Sequence, residues 1–159
     1  SRPDVIDYLP TVLGAVRYSF LRNRIGGDII YDPSESVSLE GSSGPYLQYA
    51  HARARSILRK AGKESIADIS GSQLEVAERT LVRKLSEYSE VLDLAVRELL
   101  PHHICGYLYE LAQEFNRFYE HNRVIDDPRM ALRLGLVERY AETLRAGLGL
   151  LGISAPEQL

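Results

Sequence analysis

Residues 45–62 read PYLQYAHARARSILRKAG, and this stretch is the clearest helix in the chain. Pro45 suits the first turn of a helix, and Gly62 suits the left-handed residue that commonly follows the last turn. At about 100° per residue, the apolar side chains fall within an arc of about 120°. That arc predicts the buried face of the helix: Tyr46, Leu47, Ala50, Ala54, Ile57, Leu58 and Ala61.

The same helix carries a concentration of positive charge, although the chain as a whole has a net charge of −3. A stripe with i+4 spacing follows one side of it: His51, Arg55, Arg59 and Lys63. A rim of aromatic and basic residues borders the buried face: Tyr46, Tyr49 and Arg53. Tyrosines beside arginines can stack unpaired bases while the guanidinium holds phosphate. From spacing alone, a half-buried tyrosine pair beside a solvated basic face is the favoured explanation of the pattern.

The residues before this helix predict a smaller segment of mixed structure. Residues 1–23 read mainly as a helix, begun or reset by Pro10. Its apolar residues have helical spacing: Val12, Leu13, Val16 and Phe20. A turn at Arg24–Gly27 leads to Asp28–Tyr31, which is short, β-branched and strand-like. One or two helical turns are expected within Pro33–Leu39.

Four more helices are predicted after the basic helix. The first covers Glu75–Leu85, with an apolar set of Val76, Leu81, Val82 and Leu85. The second covers Tyr88–Leu100, with an apolar set of Val91, Leu92, Ala95, Val96 and Leu99. Pro101 opens a third, whose apolar residues alternate four and three apart: Ile104, Leu108, Leu111, Phe115 and Phe118. Asp126-Asp127-Pro128 then signals the start of the last helix, because carboxylates favour the positive end of the helix dipole. The sequence therefore predicts an all-α helical bundle, preceded by a short mixed helix/strand segment.

No residue of the chain is predicted to be catalytic or to bind a metal. Cys105 is the only cysteine, which excludes an internal disulfide and a cysteine pair for zinc and suits a reducing cytosol. His102 and His103 are adjacent and point about 100° apart on a helix, so they cannot share a metal. Phosphate-loop, zinc-protease and nucleophile-elbow motifs are absent from the sequence. No apolar run approaches the roughly 18–20 residues that cross a bilayer.

The start of the sequence is unusual, because Met130 is the only methionine and the first residue is Ser1. Translation needs an initiator, so either the start was processed or the chain is a piece of a longer protein. We favour the longer protein. Enzyme motifs would then lie outside these 159 residues.

The run from Gly44 to Arg53 closely resembles the start of the anticodon-binding domain of arginyl-tRNA synthetases. Further matching motifs follow in the family's order and spacing over nearly the whole chain: Ala15–Tyr18, Ser56–Lys60, Pro101–Cys105, Tyr107–Ala112, Phe115–Tyr119, Gly147–Leu148 and Leu150–Ile153. Each motif alone is weak, but together they are highly specific. The family is a class I aminoacyl-tRNA synthetase that joins arginine to its tRNA with ATP.

The resemblance implies two parts. Residues 1–44 would be the C-terminal end of the catalytic domain with a connecting loop, and residues 45–159 the helical anticodon-binding domain. The family's H-I-G-H and K-M-S-K-S motifs are missing, so ATP and Mg²⁺ would bind in the full-length ligase, and this chain alone is expected to be inactive and without a cofactor. The D-A-L-R motif appears with Met130 in place of its acid and ends at Arg133, and Asp127 can still serve the N-terminus of that helix.

The resemblance also implies where tRNA binds, namely the rim, an aromatic residue near the end of the long helix, and the C-terminal tail. In addition, the two arginines of the stripe are expected to contact phosphate. The candidate tRNA-binding residues are Tyr46, Tyr49, Arg53, Arg55, Arg59, Tyr119 and Leu159. The expected partners are the anticodon stem-loop of arginine tRNA and the protein's own catalytic domain, in the cytoplasm, with no role for DNA or a membrane.

A second hypothesis of a different class stays open at the sequence level. A stand-alone helical interaction module would dock an acidic partner through the same basic helix. Adenylate-site motifs in an N-terminal extension would favour the synthetase, whereas an initiator directly before Ser1 would favour the interaction module.

Overall fold

The computed structural model describes residues 8–62 and 71–158, which fold into seven α-helices. In chain order the helices are α1 (Leu9–Leu21), α2 (Pro33–Ser36), α3 (Gly44–Ala61), α4 (Val76–Ser86), α5 (Tyr88–Glu98), α6 (His102–His121) and α7 (Met130–Leu150). Three predictions fall outside the described residues: Lys63 of the stripe, Leu159 of the candidate site, and the first seven residues of the N-terminal helix.

The core lies where α3, α6 and α7 meet. Phe115 of α6 stacks on Tyr140 of α7 with ring centroids 3.8 Å apart and planes 4° from parallel. The apolar stripe predicted for α6 is buried throughout: Ile104, Leu108, Leu111, Phe115 and Phe118. On the outside, α4 and α5 pack against α6, and α1 packs against α3. Helix α3 is therefore held between α1 and α7, with Tyr49, Arg59 and Lys60 left exposed on its surface.

Glycines allow two close helix contacts in this bundle. A Cβ atom on Gly44 would collide with the backbone carbonyl of Gly14, so the start of α3 rests directly on the backbone of α1. A Cβ atom on Gly147 would lie 2.6 Å from Cδ2 of Leu108, so α7 approaches α6 closely near its C-terminal end. The first contact fixes α3 against α1, and the second fixes α7 against α6.

A buried ionic cluster joins α4 to the start of α7. The Glu78 side chain is fully buried and accepts hydrogen bonds from Nε of Arg129 at 2.8 Å and from Nε of Arg133 at 3.0 Å. Arg133 also reaches Oε2 of Glu75 at 3.0 Å and Oδ2 of Asp127 at 3.2 Å. Arg133, the last residue of the D-A-L-R motif, therefore has a structural role in this protein.

The strand predicted for Asp28–Tyr31 is wrong, because the described residues contain no strand. A strand is stable only when a neighbouring strand satisfies its backbone groups, and no described segment pairs with these residues. Ile30 is 91% exposed, and Tyr31 instead stacks on Phe20 of α1 with centroids 6.0 Å apart. The mixed segment before the bundle is therefore helix and irregular loop, with α2 as the predicted short helix.

Several side chains differ in burial from what the sequence predicts. His51, placed by spacing on the solvated stripe, is buried. In the opposite direction, three residues counted as core on later helices are exposed: Val76, Val96 and Leu99. Helix α5 ends at Glu98 because Leu99 adopts a left-handed backbone with φ 56°. The apolar residues of α1 are also exposed: Val12, Leu13, Val16 and Phe20.

Candidate nucleic-acid interface

The first turn of α3 is fixed by a capping interaction, which sets the direction of the side chains that follow. Oγ of Ser43 accepts a hydrogen bond from the backbone N–H of Tyr46 at 3.1 Å. Pro45 occupies the first turn, where its missing N–H costs nothing. The last turn ends at Gly62 with φ 70°, which confirms the predicted glycine stop. Tyr46, Tyr49 and Arg53 follow on a rigid helix.

Tyr46 is half-buried and held from two sides by α6. Its hydroxyl accepts a hydrogen bond from Nδ2 of Asn116 at 3.0 Å, and its ring meets that of Tyr109 edge to face at 5.8 Å. Burial raises the pKa of Tyr46, so the hydroxyl stays neutral at physiological pH. These contacts hold the Tyr46 side chain against α6.

Tyr49 is exposed and lies in a shallow surface pocket. The pocket is lined by Tyr49, Ala52, Arg53, Ser56, Arg59 and Gln158. Tyr49 keeps 45% of its surface exposed, which leaves its ring accessible from solvent. The pocket thus combines an aromatic ring, two guanidinium groups and the amide of Gln158 next to the end of the chain.

Arg53 caps a column of aromatic rings that runs from the core to the surface. Its guanidinium carbon lies 5.1 Å from the ring centroid of Tyr119, a cation–π contact. Tyr119 lies nearly parallel to Phe115, with centroids 6.2 Å apart, and Phe115 is the ring that stacks on buried Tyr140. The position of Arg53 is therefore tied to the hydrophobic core through Tyr119.

Arg55 and Arg59 are engaged by the end of the chain, the C-terminal strap, which we define as Ile153–Gln158. Nε of Arg55 donates to Oε2 of Glu157 at 2.6 Å, and Nη1 of Arg59 donates to the backbone carbonyl of Glu157 at 2.7 Å. The hydrogen bond from Arg55 holds the pKa of Glu157 below its usual range. One carboxylate of the chain thus already neutralises part of the predicted basic stripe.

Two further residues of α3 contact the strap from the buried side. Nδ1 of His51 lies 2.8 Å from the backbone carbonyl of Pro156, and because a carbonyl only accepts, Nδ1 carries the proton. Burial lowers the pKa of His51 and favours the neutral ring, against the opposing hydrogen bond to Pro156. Nε2 of Gln48 donates to the carbonyl of Ser154 at 2.9 Å.

The structure brings most of the candidate residues together. Tyr49, Arg53 and Arg59 line one pocket, and Tyr119 contacts Arg53 from α6. Tyr46 packs against α6 instead, and Arg55 lies along the strap. Sequence reasoning missed three residues that hold the site, Gln48, Asn116 and Glu157, and assigned His51 to the solvated stripe. Asn116 and His51 stand inside family-like motifs, which was the available signal, whereas nothing in the spacing identified Glu157.

The described residues bear on three other possibilities, namely a metal site, a membrane-spanning helix and a reactive cysteine. Within residues 8–62 and 71–158 there is no group of three or more His, Cys, Asp or Glu side chains placed to hold a metal ion. None of the helices in these ranges has the length and apolar character required of a membrane span. Burial raises the pKa of the Cys105 thiol to about 12, so this cysteine is an inert core residue.

Comparison with known proteins gives consistent matches. Residues 47–159 match the model of the DALR anticodon binding domain. The chain is 44% identical over 149 residues to a Frankia casuarinae protein named arginine–tRNA ligase, covering 92% of this chain and 25% of that protein. The solved structure of Thermus thermophilus arginyl-tRNA synthetase superposes with a TM-score of 0.86 at 39% identity, over 94% of this chain and 26% of that one. The Plasmodium falciparum arginyl-tRNA synthetase gives 0.83 at 25% identity, over 94% and 27%. The chain thus spans about a quarter of the length of these relatives.

Proposed function

The chain belongs to the DALR anticodon binding domain family, and we propose that it binds the anticodon arm of arginine tRNA as part of an arginyl-tRNA synthetase. Its similarity to arginine–tRNA ligases and arginyl-tRNA synthetases supports this proposal. At the level of residues, one observation carries it: exposed Tyr49 lies in a surface pocket beside Arg53 and Arg59.

Each side chain of this surface has a role that its environment suits. Tyr49 presents an accessible ring on which an unpaired base can stack. Arg59 is exposed and supplies charge for the phosphate backbone, and Arg53 does the same from a position fixed by Tyr119. Tyr119 contributes to the proposed site by holding Arg53 in that position. Tyr46 supports these contacts through its hydrogen bond with Asn116.

The C-terminal end of the chain completes the proposed interface. Gln158 lines the Tyr49 pocket, so Leu159, the next residue in the sequence, belongs to the same proposal. Arg55 stays in the proposed site as well, where its ion pair with Glu157 holds the strap in place.

The catalytic reaction belongs, in this proposal, to the rest of a longer cytoplasmic ligase. ATP and Mg²⁺ would bind there, since the H-I-G-H and K-M-S-K-S motifs of the family are missing from these 159 residues. Residues 1–44 are proposed to be the end of the catalytic domain, and residues 45–159 the anticodon-binding domain. Val12, Val16 and Phe20 of α1 are apolar but exposed. Their exposure supports the proposal that the rest of the catalytic domain covers this side of α1.

The competing hypothesis, docking of an acidic partner on the basic stripe, loses its main support in the structure. His51 is buried, and Arg55 already pairs with Glu157 of the same chain. The stripe is therefore occupied along much of its length by the strap. The exposed Tyr49 pocket has no role in that hypothesis.

A binding titration over a salt series tests the proposed function. The purified chain is titrated with arginine tRNA and with a non-cognate tRNA of similar length. We expect tighter binding of arginine tRNA at every salt concentration and similar salt slopes for both, because phosphate contacts carry no sequence information. Arg59→Gln should flatten both slopes by about one phosphate contact. Equal affinity for the two tRNAs would contradict anticodon recognition by this chain.

A further inference from the structure

We infer that Gln48, His51 and Arg55 are positioning residues, which hold the C-terminal strap along α3 so that Gln158 completes the Tyr49 pocket. The inference rests on the proposed function of that pocket. The sequence indicated that the basic stripe binds phosphate. The inference assigns it a different main role, which is to position the strap.

The contacts follow the strap residue by residue. Gln48, His51 and Arg55 are separated by three and four residues and therefore lie along one side of α3. In the same order, they contact the carbonyl of Ser154 at 2.9 Å, the carbonyl of Pro156 at 2.8 Å and the carboxylate of Glu157 at 2.6 Å. Arg59, one turn further, holds the carbonyl of Glu157. The helix therefore provides a continuous track for the last residues of the chain.

The strap is also anchored where it begins. Ile153 is 3% exposed, and Arg17 of α1 donates to the carbonyl of Gly152. From this anchor, the track leads the chain to Gln158, which lines the pocket together with Tyr49. A strap without these contacts would sample many positions and would present no fixed group to a bound base.

The Arg55–Glu157 pair is the contact that substitution tests most cleanly. The other contacts along the track use backbone carbonyls of the strap, whereas this one joins two side chains. Their side chains keep 35% and 53% of their surfaces exposed, so either can be replaced without leaving a buried charge. Exposed pairs of this kind are worth about twofold to fivefold in an equilibrium constant.

The experiment compares arginine tRNA with the same tRNA carrying changed anticodon bases. Arg55→Gln and Glu157→Gln should each weaken binding of the native tRNA about twofold to fivefold and leave binding of the altered tRNA unchanged. The charge-swapped double variant, Arg55→Glu with Glu157→Arg, should restore discrimination. Lys60→Gln, which removes an exposed charge from the same helix, is the matched control and should affect both tRNAs equally. If Glu157→Gln tightens binding of both tRNAs, Arg55 contacts phosphate directly and the inference is wrong.

A second measurement uses no RNA and separates this inference from the proposed function. Heteronuclear ¹⁵N relaxation of the Gln158 amide should show order in the unmodified chain, loss of order in Arg55→Gln and in Glu157→Gln, and recovery in the charge swap. An equally ordered amide in all these variants would overturn the positioning role. The Gln158 amide could become mobile in the variants as expected while the unmodified chain binds the two tRNAs equally. That result would support the positioning role and reject the function proposed for the pocket.

Discussion

Replacing Glu78 by glutamine removes the negative charge at the centre of the ionic cluster between α4 and α7. The carboxylate is fully buried, and two arginines donate hydrogen bonds to it, Arg129 at 2.8 Å and Arg133 at 3.0 Å. Burial alone would raise the pKa of Glu78. Hydrogen bonds from Arg129, the backbone N–H of Glu75 and Arg133 outweigh burial and lower that pKa to about 2.

This pKa gives the size and the pH dependence of the effect. The difference between the ordinary value of 4.5 and about 2 corresponds to about 3 kcal/mol of stability. Because the folded-state pKa lies below the unfolded one, this stability is fully present above about pH 4.5 and is lost as the pH falls toward 2. We therefore expect Glu78→Gln to lower the free energy of unfolding by about 3 kcal/mol at pH 7, since it also leaves two arginines without their carboxylate.

Urea unfolding followed by far-ultraviolet circular dichroism at pH 7 and pH 3 measures both quantities. The stability difference between the unmodified chain and Glu78→Gln should shrink by about 2 kcal/mol between the two pH values. Glu90→Gln, which changes an exposed glutamate on α5, is the control and should leave stability and its pH dependence unchanged. If Glu78→Gln and the unmodified chain lose stability in parallel on acidification, the cluster does not hold the pKa of Glu78 down.

Three further predictions concern packing, the rim and catalysis. Gly147→Ala should destabilise the bundle by about 1–3 kcal/mol, because its Cβ would lie 2.6 Å from Leu108. Gly149→Ala meets no neighbour and should stabilise α7 by about 0.5–1 kcal/mol. Thermal unfolding of the two variants shows whether the two effects have opposite signs. Tyr46→Phe removes the acceptor of the Asn116 hydrogen bond and should cost about 1 kcal/mol in urea unfolding, and an unchanged midpoint would mean that this bond contributes nothing. The chain alone should show no arginine-dependent ATP–pyrophosphate exchange, and any exchange above background would contradict the placement of catalysis elsewhere in the ligase.

Periodicity predicted the helices of the bundle well, because an amphipathic helix is encoded by residues close in sequence. The α6 stripe ending at Phe118 is buried as predicted, and Gly62 ends α3 as predicted. The strand prediction for Asp28–Tyr31 is wrong because a strand must pair with a partner strand, which local composition does not reveal. The predicted burial of Val76 and Leu99 is wrong because both residues lie at helix ends, where spacing no longer determines which side is covered.

The candidate site was only partly predictable for the same physical reason. Helical spacing placed Tyr49 and Arg53 together at the edge of the buried face, and they line one pocket. The partnership of Arg55 with Glu157 spans 102 residues of sequence, and that of Glu78 with Arg133 spans 55. Charged residues that appear solvated in a sequence can thus be paired in the fold, and only the fold shows which of them remain available to a ligand.

Binding of Tyr49 variants to native and altered anticodons tests anticodon recognition most directly. Stacking of a base on an aromatic ring is worth about 1–3 kcal/mol, so Tyr49→Ala should weaken binding of arginine tRNA about fivefold to a hundredfold, and Tyr49→Phe much less. The loss at Tyr49→Ala should shrink for a tRNA with changed anticodon bases, because the base contact is already missing. Thermal unfolding, followed in parallel, establishes that each variant remains folded. An equal loss for native and altered anticodons, in a folded Tyr49→Ala chain, would contradict a base contact at Tyr49 and with it the anticodon interface proposed for this surface.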